Sequence, residues 1–359
     1  MIFKYFFYFI FLFSSVKAFE KKEVLVDGEK GLSRFVEFIE QSSESVQPIM
    51  LGAFKLQKGS LPRPEILQAL KHLIDQKKVV HVFLESRLSK EERRDSQEIS
   101  SNQSLDAFKN IGVILNQDVL PYKNVHLKFL LSDHFALIGT TNYDDDFSKY
   151  VKRDFSILTQ DTHVIKELRD TLEKVKNRQP IEWPIYHIED IEKDETRLSW
   201  GPGQHREHLL KLIDQAKKSL VIYQQDLQDS SINEALIKKI KQKVQVFILM
   251  SRYPFGRQNE NKNLPLLENL RKEGANVCLV GEKKVYNDLP LHIHAKVLLS
   301  DAGTSNEIMY LGSANFYTSV LNTQGSNLNL GVITRDNAYI KIVHETFMKD
   351  WKVHHNIDQ

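Results

Sequence analysis

The chain has 359 residues, of which 41% are apolar and 27% are charged, which is ordinary composition for a globular protein with room for two cores of roughly 150 residues each. This composition argues against a disordered chain and against a fibrous one. Cys278 is the single cysteine, so no intrachain disulfide can form. It lies in an apolar stretch, and we expect it to fill a strand core rather than to react.

The N-terminal segment has the pattern of a secretory signal. Lys4 precedes an uninterrupted apolar run over residues 6–13, and the residues up to Ala18 suit cleavage by a signal peptidase. An uncleaved membrane anchor is the alternative, but the run is shorter than the roughly 20 residues that a spanning helix needs. We therefore predict cleavage after Ala18 and a secreted or periplasmic protein.

Cleavage would leave a chain without net charge. Lys4 and Lys17 would leave with the signal, which lowers the 49 basic residues by two, to the number of the 47 acidic ones. Basic and acidic residues are interleaved in segments such as SKEERRDSQE (residues 89–98), a pattern typical of a solvated helix face. A non-specific nucleic-acid binder usually has a basic excess, which this chain lacks.

The first half alternates helical patterns with short β-rich runs. A helix end and a strand are predicted in FIEQSSESVQPIML (residues 38–51), and a further strand in VHVFLESR (residues 80–87). Next comes VHLKFLLSD (residues 125–133), which we predict to be one strand with His126 and Lys128 on the same face. The following run, FALI, is predicted to pair with it and to return the chain toward His126.

The second half repeats this order of elements. The segments LIDQAKKSLVIYQQ, VQVFILMSR and IHAKVLLSD correspond to the three first-half segments, and the last places a histidine 168 residues after His126. DFSILTQDTHVIKE, which starts at Asp154, likewise corresponds to NLGVITRDNAYIKI, which starts at Asn329. Each half thus reads as helix, strand, helix, strand, further strand, paired motif strands and a closing helix, which indicates a duplicated α/β unit. Prolines and charges mark the joint, and the predicted parts are a signal at 1–18, lobes at 19–180 and 198–359, and a linker at 181–197.

Both halves carry the pattern H-x-K-x4-D followed by G-[ST]-x-N. Its residues are His126, Lys128, Asp133 and Asn142 in the first half, and His294, Lys296, Asp301 and Asn315 in the second. Present twice in one chain, this pattern resembles the phospholipase D superfamily, and the similarity extends from about Phe38 to the end. The resemblance implies an α/β fold of two similar lobes, each a mixed β-sheet flanked by helices, related by a pseudo-twofold axis with one active site between them.

The residue types indicate phosphodiester chemistry even apart from the family resemblance. A phosphodiester is anionic and resists attack, so its cleavage needs cations on the non-bridging oxygens, a nucleophile and an acid for the leaving alkoxide. Lys128 and Lys296 can supply the cations. The amides of Asn142 and Asn315 can help them to stabilise the non-bridging oxygens. Two histidines can divide the remaining roles, but the residues alone do not order them.

The resemblance orders the two histidines and implies that no cofactor is needed. It makes His126 the nucleophile, which forms a phosphohistidine, and His294 the general acid and base. No metal is expected, since the chain lacks H-E-x-x-H and clustered-cysteine patterns. His292, two residues before His294, could line the same pocket.

Four further polar residues have roles that the residues alone leave open. Superfamily members often place an acid downstream of each motif to orient a histidine, and Asp154 holds that position in the first half. Asn329 holds it in the second half and cannot carry charge. The motif acids Asp133 and Asp301 are candidates either for catalysis or for bonding loop amides.

The predicted function is that of a secreted phospholipase D type enzyme, active as a monomer without cofactor. It would hydrolyse phospholipid headgroup esters at a membrane surface, with transfer of the phosphatidyl group to an alcohol, as in cardiolipin synthases, as a second outcome. The alternatives are a secreted non-specific nuclease on the same scaffold, with nucleic acid as substrate, and a binding protein whose site has decayed. Asn329 is the only support for the decayed site.

Overall fold

The computed structural model describes residues 22–26, 28–53, 63–84, 106–117, 121–122, 124–142, 150–282, 284–286, 288–322 and 327–355. The predicted signal segment and the charged segment 89–98 lie outside the described residues. None of the helices in the described part combines the length and the apolar character that crossing a bilayer requires.

Each half of the chain builds a seven-stranded mixed sheet flanked by helices. The first-half elements are β1 (Lys22–Val26), α1 (Gly28–Gln41), β2 (Ile49–Ala53), α2 (Pro64–Asp75), β3 (Val80–Leu84), α3 (106–111), β4 (Ile114–Asn116), β5 (Asn124–Val125), β6 (Phe129–Leu131), β7 (Ala136–Gly139), β8 (Val151–Arg153), β9 (Phe155–Thr159) and α4 (Thr162–Lys176). The second-half elements are β10 (Thr196–Gly201), α5 (His205–Gln215), β11 (Ser219–Tyr223), α6 (Ser230–Lys241), β12 (Gln245–Ser251), α7 (Leu264–Glu273), β13 (Asn276–Val280), β14 (Lys284–Tyr286), β15 (Leu289–Ile293), β16 (Val297–Ser300), β17 (Ile308–Gly312), α8 (Thr318–Leu321), β18 (Asn327–Thr334) and α9 (Asn337–His355).

The two sheets have the same topology, strand for strand. The first runs β1-β9-β7-β6-β2-β3-β4, and the second runs β10-β18-β17-β16-β11-β12-β13. In each sheet the last three strands are parallel and the other neighbours are antiparallel. The predicted α/β fold of two similar lobes is therefore confirmed.

Each half opens with a strand, where the sequence pattern suggested a helix. These strands are β1 and β10; β1 pairs antiparallel with β9, which directly follows Asp154, and β10 pairs antiparallel with β18, which contains Asn329. β10 begins at Thr196, inside the segment predicted to be a linker. Short edge strands of this kind have a weak sequence signal, because flanking charges mask their alternation.

The two halves share one apolar core, which lies between the sheets. It combines side chains from the facing surfaces of both sheets with those of α4 and α9, and it includes Phe155 and Tyr223, whose ring centres are 5.6 Å apart. Two further cores lie on the outer faces, one under α1 and α2 and one under α5, α6 and α7. Cys278 is buried in β13, as predicted. Because the inner core draws on both halves, neither sheet buries both of its faces alone.

Short strands also exchange between the halves, and this corrects the prediction of one strand over residues 125–133. The chain is paired in β5, irregular at 126–128 and paired again in β6. β5 pairs with β18 of the other half, whereas β6 pairs with β2 and β7 of its own sheet. The second half repeats the arrangement, since β15 pairs with β8. Each motif histidine and lysine therefore lies where the chain passes from one pairing partner to another.

A buried ion pair fixes β8 of the first half to the C-terminal helix of the second. Arg153 donates to both carboxylate oxygens of Asp350, at 2.6 and 2.7 Å, and both side chains are almost fully enclosed. The hydroxyls of Tyr223 and Tyr286 donate to the same carboxylate at 2.6 and 2.5 Å. Four donors on one carboxylate satisfy the buried charges, and they set how β8 lies against α9.

We expect Asp350→Ala to lower the free energy of unfolding by about 3–5 kcal/mol, because it leaves the guanidinium of Arg153 buried without its counter-charge. The change would be measured as a shift in the urea midpoint. Glu345→Ala on the same helix, which removes an exposed partner 4.0 Å from Lys341, is the control and should cost no more than about 0.5 kcal/mol. Equal losses of unfolding free energy in the two variants would show that the buried pair contributes no more to stability than the exposed one.

Candidate active site

The backbone brings each motif histidine against the other half of the chain. The amide of His126 donates to the carbonyl of Leu328 at 2.8 Å, and the amide of His294 donates to that of Arg153 at 3.1 Å. In both cases the acceptor is the residue just before the predicted orienting residue. The same contact, made twice, joins the two motifs into one site.

The imidazole rings are held by the same exchange, because each ring takes its orienting residue from the other half. Nδ1 of His126 lies 3.0 Å from Oδ1 of Asn329, and Nδ1 of His294 lies 2.8 Å from Oδ1 of Asp154. Because both partners present an acceptor, each Nδ1 carries the proton and each Nε2 is left for chemistry. Because β5 and β15 each pair with a strand of the other half, each histidine lies beside the orienting residue of that half.

The hydroxyl of the G-[ST]-x-N motif fixes the orienting residue of its own half. Thr140 donates to Asp154 at 2.5 Å, and Ser313 donates to Asn329 at 3.1 Å. Each hydroxyl also accepts the amide of the residue that follows its orienting residue, at 3.0 and 3.1 Å. A hydroxyl at this position thus serves as both donor and acceptor, a combination that serine and threonine supply.

Both motif lysines are buried beside the histidines. Lys128 and Lys296 are 1% and 0% exposed, and each ammonium donates to the carbonyl of its own motif histidine. Lys296 also donates to Oε1 of Gln225 at 3.1 Å. Hydrogen bonds from the motif glycines to the lysine carbonyls, both at 3.1 Å, place the G-[ST]-x-N segments next to the lysines.

The motif asparagines lie at the ends of these segments. The side-chain oxygens of Asn142 and Asn315 are buried and accept no hydrogen bond from any residue that the structure describes. A buried polar atom without a partner is costly, and it marks a position where a ligand can satisfy it. Both amides can turn an N–H group toward a phosphate oxygen.

Burial lowers the pKa of both motif histidines, and the neighbouring charges differ between them. Burial lowers the pKa of His126 well below its ordinary value, and the charges of Lys128 and Lys296 lower it further. Burial also lowers the pKa of His294, but there the carboxylate of Asp154 opposes the shift. Burial disfavours the charged form of Asp154, yet His294 and Lys152 outweigh it and hold the pKa of that carboxyl well below its usual range.

The motif acids Asp133 and Asp301 lie away from the histidines, at the far ends of β6 and β16, about 16 Å from the motif lysines at 3.3 Å per residue. Asp133 accepts the amides of Val46 and Gln47 at 2.7 and 3.0 Å, and Asp301 accepts the amides of residues 217–219 at 2.7–3.1 Å. Of the two roles left open by the sequence, the structure favours the bonding of loop amides, and it gives no support to their inclusion among catalytic residues.

Sequence reasoning missed two polar residues of the site. Lys152 is 2% exposed, and its ammonium lies 3.5 Å from Oδ2 of Asp154. Gln225, which follows β11, accepts the hydrogen bond from Lys296. Lys152 had a detectable signal, since it lies two residues before Asp154 and alternation puts both on one face. Gln225 had none, because β11 and β16 become neighbours only through the fold.

A cavity of about 610 Å³ opens beside His294. His292 lines it, with Nδ1 3.2 Å from the hydroxyl of Ser251, and burial lowers the pKa of His292 to about 4. Among the described residues no three His, Cys, Asp or Glu side chains cluster as metal ligands would.

Comparisons with known proteins match part of the chain to one family model and most of it to solved structures. The model of a family described as "Cardiolipin synthase, PLD-like domain" matches residues 209–351. No curated protein matches the chain by sequence.

Polyphosphate kinase from Porphyromonas gingivalis is 13% identical with a TM-score of 0.64, over 92% of this chain and 47% of that one, so the chain spans about half its length. Phosphatidylserine synthase from Haemophilus influenzae Rd KW20 is 14% identical with a TM-score of 0.60, over 92% of this chain and 86% of that one. Nuc from Salmonella typhimurium, a phospholipase D family member, is 21% identical with a TM-score of 0.36, over 45% and 95% of the two chains.

We expect the site to bind sulfate less tightly above about pH 7. Burial lowers the pKa of Lys296 to about 7, so the free site loses a positive charge above that pH, while sulfate keeps its charge. The dissociation constant should rise by up to about tenfold per pH unit, measured by calorimetry from about pH 6 to pH 9. Lys296→Arg, checked for folding by circular dichroism, should lose this dependence because arginine stays charged. A constant affinity in the unsubstituted protein would contradict the prediction.

Proposed function

Because the chain belongs to the phospholipase D superfamily of phosphodiesterases, we propose that it cleaves phospholipid headgroup esters outside the cytoplasm, after loss of its signal segment. The observation that carries the proposal is the joining of both His-Lys pairs in one buried site, through hydrogen bonds exchanged between the halves. A single chain supplies the whole site, so the proposal includes activity as a monomer.

In the first step, Nε2 of His126 attacks phosphorus. A phosphorus–nitrogen bond forms, the bond from phosphorus to the headgroup oxygen breaks, and that oxygen takes a proton from Nε2 of His294. Lys128 and Lys296 stabilise the charge on the non-bridging oxygens, together with the amides of Asn142 and Asn315.

The partners of the two rings support this division of labour. A nucleophilic imidazole must be neutral, and Asn329 fixes the tautomer of His126 without adding a charge that would favour protonation. A general acid must be protonated, and the carboxylate of Asp154 opposes the lowering of the pKa of His294 that burial causes. The absence of charge at Asn329 therefore fits an active site as well as a decayed one.

In the second step, His294 acts as the base. Its neutral Nε2 removes a proton from water or an alcohol, the oxygen attacks phosphorus, and the bond to Nε2 of His126 breaks. Water gives phosphatidic acid, whereas an alcohol gives a new phosphodiester. The chemistry at His126 and His294 is the same in both cases.

The overall proposal is tested by measuring release of soluble headgroup from mixed phospholipids in parallel with nicking of plasmid DNA. The formal neutrality of the processed chain favours lipid over nucleic acid, since a non-specific nuclease gains affinity from a basic excess. We expect strong headgroup release and little nicking. Strong nicking without headgroup release would replace the lipid substrate by nucleic acid, and absence of both would overturn the enzymatic proposal.

Substitution of the two histidines should stop the reaction at different steps. His126→Ala should abolish both turnover and the covalent phosphoenzyme, because it removes the nucleophile. His294→Asn should slow chemistry at least about a hundredfold, the usual effect of losing a general acid, yet retain label from an activated ester whose alcohol needs no protonation. The measurement is acid-labile label on the protein after rapid quench with substrate labelled at phosphorus.

Two results of this experiment would count against the assignment. Label that accumulates on His294 in the His126→Ala protein would reverse the two roles. Loss of less than about a hundredfold in both variants would place the chemistry elsewhere. His163→Ala, at an exposed histidine of α4, serves as the control and should leave turnover unchanged.

Asp154→Asn tests the exchange of orienting residues between the halves. The substitution removes the charge that favours protonated His294, so we expect a loss of about 10- to 100-fold with an alkyl ester, whose leaving group needs a proton. A p-nitrophenyl ester, whose leaving group needs none, should lose less than about threefold in its first step, read as the burst of p-nitrophenolate. Equal losses with both esters would mean that Asp154 supports the nucleophile instead.

A further inference from the structure

The two motif lysines are not among the residues that line the cavity beside His294. Its floor is formed by β8 and β15, where Lys152 and His292 are register partners with side chains on the same face. Its far wall is the loop after β12, which contributes Tyr253 and Arg257. The volume of about 610 Å³ is within the range of roughly 300–1,000 Å³ that is usual for small-molecule sites.

The position of the cavity decides which part of a substrate it can take. Nδ1 of His294 is turned to Asp154, so Nε2 points toward the reacting phosphate, and the oxygen that it protonates belongs to the leaving alcohol. Because His294 itself lines the cavity, an alcohol that leaves from this oxygen extends into it. In the reverse direction the same space would receive an acceptor alcohol.

The charged side chains that line the cavity are all positive among the described residues. Two cations line it, Lys152 on the floor and Arg257 on the exposed wall, and none of its described lining residues is acidic. Lys152 is almost fully enclosed, so its charge acts where water screens it little. Asp154 offsets part of that charge, but it lies behind the histidine and does not line the cavity.

Two of the tyrosine rings that line the cavity have partners within the protein. The guanidinium of Arg257 lies 5.5 Å from the ring centre of Tyr253, and the ring of Tyr150 lies 4.9 Å from that of His292. Arg257 thus occupies the face of Tyr253 that a quaternary ammonium group could otherwise contact. With two cations and no acid among its described lining residues, the cavity favours an anion.

We propose that this cavity binds a leaving or acceptor alcohol that carries a second phosphate, with Arg257 and Lys152 as the residues that select it. This proposal rests on the proposed function and names its substrate class: glycerophospholipids whose headgroup glycerol is itself phosphorylated. The hydroxyl lies at His294 and the second phosphate lies between Lys152 and Arg257. Lys128 and Lys296 remain with the phosphate that reacts.

The proposal is tested with three short-chain lipids below their critical micelle concentrations, which removes effects of the membrane surface. They are phosphatidylglycerol phosphate, phosphatidylglycerol and phosphatidylcholine with the same acyl chains. We expect kcat/KM to be highest for the first and lowest for the last. Arg257→Gln should reduce the ratio of the first to the second by about tenfold, the scale of one lost charge-assisted hydrogen bond.

Two further variants serve as a control and as a second test of the cavity. Arg252→Gln removes a charge from the same loop at a residue that does not line the cavity, and it should leave the ratio unchanged. Lys152→Gln should lower the ratio as Arg257→Gln does, even where contact with Asp154 also lowers the rate with every substrate. The ratio measured within each variant cancels such a general loss.

The outcomes separate this proposal from the proposed function. Hydrolysis of bis(p-nitrophenyl) phosphate, together with equal kcat/KM values for the three lipids, would overturn the cavity assignment alone. Equal losses with all three lipids in Arg257→Gln would also overturn it, as would faster cleavage of a single-stranded oligonucleotide than of any lipid. No turnover of any of these esters would overturn the proposed function and the cavity assignment with it.

Discussion

The buried contact between Arg153 and Asp350 is the constraint on which the rest of the site depends. It fixes β8 against α9, and the alternation of side chains along an extended chain then turns the neighbours of Arg153, Lys152 and Asp154, to the opposite side, toward the cleft. The carbonyl of Arg153 also receives the amide of His294. One residue therefore packs its side chain into the core between the sheets while its backbone and its neighbours build one side of the candidate active site. A charge pair buried this deeply is costly unless it is fully hydrogen-bonded, and the two tyrosine hydroxyls complete it.

The duplicated halves are not two copies of a site but two parts of one. Each histidine takes its backbone hydrogen bond and its orienting side chain from the other half, so an isolated half would have a histidine with an unset tautomer. Within this symmetric frame the chemistry is asymmetric. Asn329 and Asp154 occupy equivalent positions, and burial lowers the pKa of both imidazoles, but the carboxylate of Asp154 opposes this lowering more strongly than the amide of Asn329 does. His294 also lines the cavity of about 610 Å³.

The two acids of the H-x-K-x4-D pattern illustrate how a motif can combine chemistry with architecture. Asp133 and Asp301 hold the turns that lead into β2 and β11, which are the strands paired with the motif strands β6 and β16. Their carboxylates accept two or three backbone amides each, an arrangement that satisfies donors which the sheet leaves unpaired. The five-residue spacing from lysine to aspartate is thus the length of strand between the site and its anchor.

The sequence by itself determined the α/β class, the duplication, and the set of polar residues that gather between the halves, because spacing and alternation are local properties that a repeated pattern makes visible twice. It could not determine that β5 and β15 cross to the other half, and so it could not show which histidine Asp154 or Asn329 orients. It also could not find Gln225 or the wall formed by Arg257, which reach the site from loops distant in the chain. Only the tertiary structure decided these points, since strand exchange between halves depends on the packing of both sheets around one core, and that packing leaves no periodic trace in either half alone.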